Sequence, residues 1–200
     1  MKKFLMGISI VAGLSSAALC SAQAIVGNPA PAFSAFDAAG KKVSLADYKG
    51  KFVVLEWMNP DCPFTQAHYV TGNMPSTQKH AAEKGAIWLS INTANQAQAG
   101  AALSAWMKSQ QGTPSAIVPD DGKIARAYGA KTTPHMFLID PSGKLVYAGA
   151  IDSMTGTNPA DIKSATNYVK QALDETATGK PISRAVTKPY GCAVKYSPSA

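Results

Sequence analysis

Three apolar runs of strand length, at residues 52–57, 86–91 and 135–139, constrain this chain more than any other feature. None alternates in the way a strand with one wet face does, so each predicts a strand covered on both sides, inside a sheet with helices on either face. The stretches between them supply helices. One is predicted from Pro63 to about residue 70, one over 76–84 ending at Gly85, one over 97–111 stopped by Gly112, and one over 123–128 closed by Gly129. Shorter strands are predicted at 31–36 and 42–45, joined at Ala38-Ala39-Gly40 as a hairpin-like entry, and at 116–118. Pro141-Ser142-Gly143 reverses the chain after Asp140 and predicts a second hairpin with 144–150. A last helix starts at Asn158 or Asp161 and runs to about residue 178, and beyond Gly179 the Pro- and Ser-containing tail has no period and predicts an extended arm. The chain has 200 residues, 46% of them apolar, enough for one core without metal or disulfide support.

The first two dozen residues follow other rules. Lys2 and Lys3 precede an apolar run over 4–19 and then Ala22-Gln23-Ala24, the order of parts in a secretory signal peptide. Gly7, Gly13, Ser15 and Ser16 interrupt the run, and it is short beside the ~20 residues of a bilayer span. Leu19 stands where a lipid anchor on Cys20 needs a small residue. The expected division is therefore a leader at 1–24, one domain at 25–179 and an arm at 180–200 carrying Cys192, with the mature chain periplasmic or secreted and in contact with the membrane only during export. Loss of Lys2 and Lys3 leaves seventeen basic against twelve acidic residues, about +5. This excess is diffuse: Lys41, Lys42, Lys49 and Lys51 lie around turns with no interleaved aromatics, a pattern of solvated surface that gives no footprint for nucleic acid.

Export would leave two cysteines, Cys62 and Cys192. Cys62 follows an apolar strand, and Pro63 suits the first position of a helix, where a missing N–H goes unpaired anyway. Cys62 is then the residue that caps the helix. A thiolate there gains from the helix dipole and from free amides, although Asp61 opposes it. An inert structural disulfide with Cys192 is the competing reading, since exported proteins keep such bonds. Thr65, Gln66 and Tyr69 fall on the Cys62 side of the helix, with His68 turned away; His68 and His80 read as surface residues. Trp57, Trp88 and Trp106 read as core or near-core, with Trp57 close enough to Cys62 to shape its pocket.

The order strand, Cys at a helix start, strand, helix, strand, helix, Thr-Pro, strand, Pro-Ser-Gly, strand, helix resembles the thioredoxin-like redoxins. Three segments carry the resemblance: Trp57 shortly before Cys62-Pro63-Phe64-Thr65, then Gly129-Ala130-Lys131-Thr132-Thr133-Pro134, then Phe137 to Lys144 with its Asp140-Pro141-Ser142-Gly143 turn. The resemblance implies an α/β thioredoxin-like fold with a central mixed sheet flanked by helices, an N-terminal hairpin and an extended C-terminal arm. It also implies a cis peptide before Pro134, and an enzyme that works through thiols without a cofactor or metal, on disulfides or peroxides with a thiol reductant. Cys62 is then the nucleophile, Thr65 a donor to its thiolate and Cys192 a resolving partner on an arm free to swing, with Trp57, Pro63, Thr133 and Pro134 at the substrate.

Two departures bear on the chemistry. Thioredoxins have a second cysteine where Thr65 stands, so the local resolving thiol is missing. Peroxiredoxins, which also place Cys-Pro at a helix start and often a resolving cysteine near the C-terminus, have Thr three residues before the cysteine, where this chain has Asn59; Arg126 is the nearest counterpart of their arginine, and a surface arginine is the simpler reading. Asn59-Pro60-Asp61-Cys62-Pro63 is also similar to the motif of copper-handling thioredoxin-fold proteins with its first Cys absent. A non-catalytic binding or copper-carrier module, drawing on Cys62, His135 and Cys192, is thus the alternative to an antioxidant or disulfide-exchange enzyme.

Overall fold

The computed structural model describes residues 23–93 and 100–196. The expected leader lies outside the described residues except for Gln23 and Ala24, whose chain already joins the domain: the Ala24 amide donates to the Ala127 carbonyl at 2.9 Å.

Strands β1 (Ser34–Phe36) and β2 (Lys42–Ser44) form the expected antiparallel entry hairpin, and a 3-10 turn, Leu45–Tyr48, follows. The central sheet holds β3 (Val53–Trp57), β4 (Ile87–Asn92), β5 (Ala116–Pro119), β7 (His135–Ile139) and β8 (Leu145–Gly149) in the order β5-β4-β3-β7-β8. β3 runs parallel to β4 and antiparallel to β7; β4 and β5 are parallel, β7 and β8 antiparallel. The sheet is mixed, and β3 lies at its centre.

That position explains the unbroken apolar run. Val54 and Met58 face one core with Met74, Trp88, Leu103 and Leu173, while Val53, Leu55 and Trp57 face a second with Ile91, Ile124, Tyr128 and Phe137. Helices α1 (Pro63–Val70), α2 (Asn73–Glu83), α3 (Ala101–Ser109) and α6 (Tyr168–Ala177) supply the first core, and α4 (Lys123–Tyr128) the second.

Several boundaries differ from expectation. α2 starts three residues early, because Pro75 falls in its first turn, where proline costs no hydrogen bond. The first residues expected of α3 lie outside the described residues. The last helix is two: α5 (Pro159–Ser164) and α6, separated because Asn167 takes the cap position of α6 and accepts from the Lys170 amide at 2.9 Å. The Thr132-Thr133 segment, expected as a turn, is the short strand β6 (Thr132–Thr133), paired antiparallel with β9 (Cys192–Ala193) from the arm.

The arm is extended, as expected, but it is stitched down along its length. Ala148 of β8 donates to the Ala185 carbonyl and accepts from the Thr187 amide. The Thr187 hydroxyl pairs with Tyr147 Oη at 2.7 Å and accepts from the Ala150 amide at 2.9 Å. Val194 is buried in the second core, and Tyr196 Oη donates to the Ala130 carbonyl while its ring lies under the Arg126 guanidinium. An arm that swings freely is therefore corrected to one held by a series of hydrogen bonds. Among the described residues no helix is long and apolar enough to cross a membrane.

Candidate active site

Between β3 and α1 the chain turns on Asn59, whose side-chain oxygen accepts from the Asp61 amide at 2.9 Å and whose carbonyl accepts from the Cys62 amide at 3.0 Å. Cys62 emerges in an extended conformation as the cap residue of α1, and Pro63 opens the helix. The Cys62 side chain thus faces the free amides of the first turn.

Opposite stands the Thr133-Pro134 peptide, which is cis as the resemblance implied. Cys62 Sγ lies 3.0 Å from the Thr133 carbonyl oxygen. Register places Thr133 directly across from Cys192, and the two sulfurs are 2.7 Å apart, unbonded thiols well inside ordinary contact and short of the ~2.05 Å of a disulfide. Gly191 makes this approach feasible: its φ is +128°, and a Cβ built there would stand 2.1 Å from the Thr133 carbonyl oxygen.

The pair divides one proton unequally. Burial pushes the Cys62 thiol up, and the Thr133 carbonyl favours its protonated form, but the Cys192 thiol, the Thr133 hydroxyl and the amides of Thr65 and Cys192 together outweigh this, so its pKa is lowered. Burial, the hydrogen bond to Cys62 and the Cys62 charge push Cys192 up to about 11. Reduced, the pair ionises first at Cys62, and Cys192 keeps its proton to higher pH.

The other predicted residues are placed less uniformly. Thr65 was expected to donate its hydroxyl to Cys62; instead the hydroxyl is fully buried without a hydrogen-bond partner, and only the Thr65 backbone favours the Cys62 thiolate. Trp57, expected at the substrate, is fully buried on the far face of β3, where its indole N–H donates to the Thr93 hydroxyl at 3.2 Å and its ring packs on Tyr128 and Phe137. Pro63 is exposed at the head of α1, whereas Thr133 and Pro134 are buried, with β9 lying across Thr133.

His68, expected on the surface, is fully buried against Tyr190, Asn73 and Asp152, and His80 is half-buried and 2.9 Å from Asp174. His135 packs on Phe137 and accepts from the Lys131 amide, and burial with the Lys131 charge pushes its pKa down to about 3. Among the described residues no three His, Cys, Asp or Glu side chains stand close enough to share a metal ion, so the copper-carrier alternative gains no support from the geometry.

Sequence reasoning passed over Glu56. It sits inside the apolar run of β3, fully buried, and accepts from Ser90 Oγ at 2.7 Å, Trp88 Nε1 at 2.8 Å, Tyr69 Oη at 2.9 Å and Gln78 Nε2 at 3.4 Å. Burial raises its pKa even against those four donors. The signal was present: a carboxyl in a strand with no wet face needs donors on neighbouring elements.

A family model for AhpC/TSA proteins matches residues 26–148, which include Cys62, Thr133 and Pro134 and stop before the arm. The chain belongs to the AhpC/TSA family. It is 30% identical over 120 residues to the thiol-disulfide oxidoreductase ResA of Bacillus subtilis (strain 168), covering 60% of this chain and 64% of that protein, so it spans less than two thirds of that relative's length. A thiol:disulfide interchange protein of the thioredoxin family from Chlorobium tepidum TLS is similar in structure, with a TM-score of 0.52, 27% identity and coverage of 73% of this chain and 96% of that one. The fold matches more fully an uncharacterized conserved protein from Geobacillus kaustophilus (TM-score 0.74, 25% identity, 88% and 94% covered) and the hypothetical protein SMc02350 from Sinorhizobium meliloti 1021 (0.76, 24%, 88% and 96%). The expected thioredoxin-like α/β fold and redoxin membership are both borne out.

Proposed function

We propose that the mature chain is an exported thiol-disulfide oxidoreductase in which Cys62 attacks and Cys192 resolves. The observation that carries this reading is the 2.7 Å separation of the two sulfurs across the Cys62 helix start and the Thr133-Pro134 peptide. The missing neighbour at Thr65 is thereby replaced from the arm, 130 positions along the chain.

The Cys62 thiolate attacks one sulfur of a substrate disulfide, forming a mixed disulfide and releasing the first thiolate, which takes a proton from water. Cys192 then attacks Cys62 Sγ; its own proton passes to the second leaving sulfur, and the Cys62–Cys192 bond closes. Two electrons have moved from the protein's thiols to the substrate, and an external thiol reductant restores them. The raised pKa of Cys192 keeps it from competing as the first nucleophile. Disulfides are favoured over peroxides because Asn59 stands where the peroxidatic pattern has Thr, and its side-chain oxygen is already engaged by the Asp61 amide.

The test mixes the reduced mature chain with oxidised glutathione and, separately, hydrogen peroxide, and follows products by mass. Cys192→Ser is expected to accumulate a glutathione adduct on Cys62, and Cys62→Ser to form no adduct at that rate. Faster oxidation by peroxide than by glutathione disulfide would replace the disulfide substrate with a peroxide. Absence of any Cys62 adduct would end the nucleophile assignment.

A further inference from the structure

Behind the arm lies a buried polar cluster that the two-cysteine chemistry does not use. His68 and Asp152 are 0% and 1% exposed, and Tyr190, two residues before Cys192, closes over them with its ring edge-on to Phe64. Asn73 Nδ2 donates to Asp152 Oδ2 at 2.9 Å and lies 3.0 Å from His68 Nδ1. The orientation of that amide is fixed, because Asn167 Nδ2 donates to Asn73 Oδ1 at 3.0 Å.

An amide nitrogen only donates, so His68 Nδ1 accepts, and the ring's single proton sits on Nε2. Nε2 then donates to Tyr190 Oη at 3.0 Å, which leaves the Tyr190 hydroxyl to donate to Asp152 Oδ1 at 2.5 Å. The ring of bonds closes with a neutral imidazole, Asp152 accepting at both oxygens and no donor left over. Burial favours that neutral imidazole, and the Asp152 charge opposes it.

Cys62 is 1% exposed, with β9 across it. A substrate disulfide reaches the Cys62 sulfur only when β9 lifts, and the mixed disulfide is resolved only when β9 returns. We propose that Tyr190, clasped by His68 and Asp152, is a positioning residue that sets the balance between these two states of the Cys192 segment. This rests on the reading of Cys62 and Cys192 as a redox pair. The clasp works on both halves of the cycle in opposite senses: loosening it admits substrate faster and holds Cys192 at Cys62 less.

The test uses the full mature chain with Tyr190→Phe, His68→Leu and His68→Gln, the last retaining a side-chain amide that can donate to Tyr190. Two quantities are read. One is the equilibrium of the Cys62–Cys192 disulfide with glutathione; the other is the pH profile of Cys62 alkylation by iodoacetamide, located by peptide mass. Tyr190→Phe and His68→Leu are expected to weaken the disulfide about tenfold, about 30 mV for a two-electron couple. They are also expected to raise the high-pH plateau of Cys62 alkylation several-fold and to move its midpoint upward, because the Cys192 thiol bonds the thiolate less often. His68→Gln is expected to stay near wild type. General loosening of the fold would change the plateau without the linked rise in midpoint and would not be rescued by Gln. An unchanged equilibrium and an unchanged profile in Tyr190→Phe would overturn the clasp. If wild type forms no reversible Cys62–Cys192 bond, the redox-pair reading falls, and the alkylation profile alone decides whether the clasp holds the arm over Cys62.

Discussion

Gly191 is the residue beside the cysteine pair where one added methyl group cannot be accommodated. Its +128° φ is costly for any side chain, and the new Cβ would overlap the backbone carbonyl of Thr133, a buried residue. Gly191→Ala is expected to cost about 1–3 kcal/mol of local strain, released by backing β9 away from Cys62. Titration against glutathione should then show the Cys62–Cys192 bond weakened by tenfold or more. Glu56 calls for a different experiment. Its folded pKa lies above the ordinary carboxyl value, so its contribution to stability is full below that ordinary value, where both states hold the proton, and is lost as pH rises through the folded value. Urea unfolding of wild type and Glu56→Gln between about pH 4 and 8 should show wild type losing ground to the variant as pH rises, with a limiting slope of about 1.4 kcal/mol per pH unit. Cys62 could be read in the sequence because its setting is local: an apolar strand before it and a proline after it. Glu56 and His68 could not be resolved so easily, because their partners come from elsewhere in the chain, Tyr190 lying 122 positions after His68.

Helix α6 shows the same contrast between elements. Its cap, Asn167, does three things: it accepts from the Lys170 amide and donates to both Asn73 and Thr77 of α2. Asn167→Ala is expected to lower stability by about 1–2 kcal/mol, the upper range of a lost cap because two bonds to α2 are lost with it. Thermal or urea unfolding checks the size. Asn167→Asp, which keeps the cap and loses the donors, should recover only part. The Ser164-to-Asn167 stretch carried the signal of a helix break, since Ser, Thr and Asn compete for backbone donors, yet the apolar period on either side suggests one long helix. Strands were easier to place than helix ends, because a strand covered on both faces leaves an unbroken apolar run. The pairing of β6 with β9 had no such run to announce it: two residues on each side, joined only through the approach that Gly191 permits.

At the scale of the molecule, the Cys62–Cys192 link would close a loop long enough to stabilise the fold by about 4–5 kcal/mol in the chain-entropy description, if its only role were to restrain the unfolded chain. A working redox bond is expected to give less. Its potential should lie above about −300 mV, and the oxidised form should melt only modestly above the reduced one, because Thr187, Val194 and Tyr196 hold the arm in either state. A redox titration beside melts of both forms decides this, and a deeply reducing potential with a large drop in Tm on reduction would assign the bond to structure. The same arm has a second effect, through Ala185 and Thr187 on Ala148. Those bonds occupy polar groups along the outer border of β8, which would otherwise offer a template to any other extended chain. Proteolytic removal of residues beyond Gly179, which also removes Cys192, would therefore be expected to uncover this border and promote edge-to-edge self-association, read as a rise in mass by light scattering.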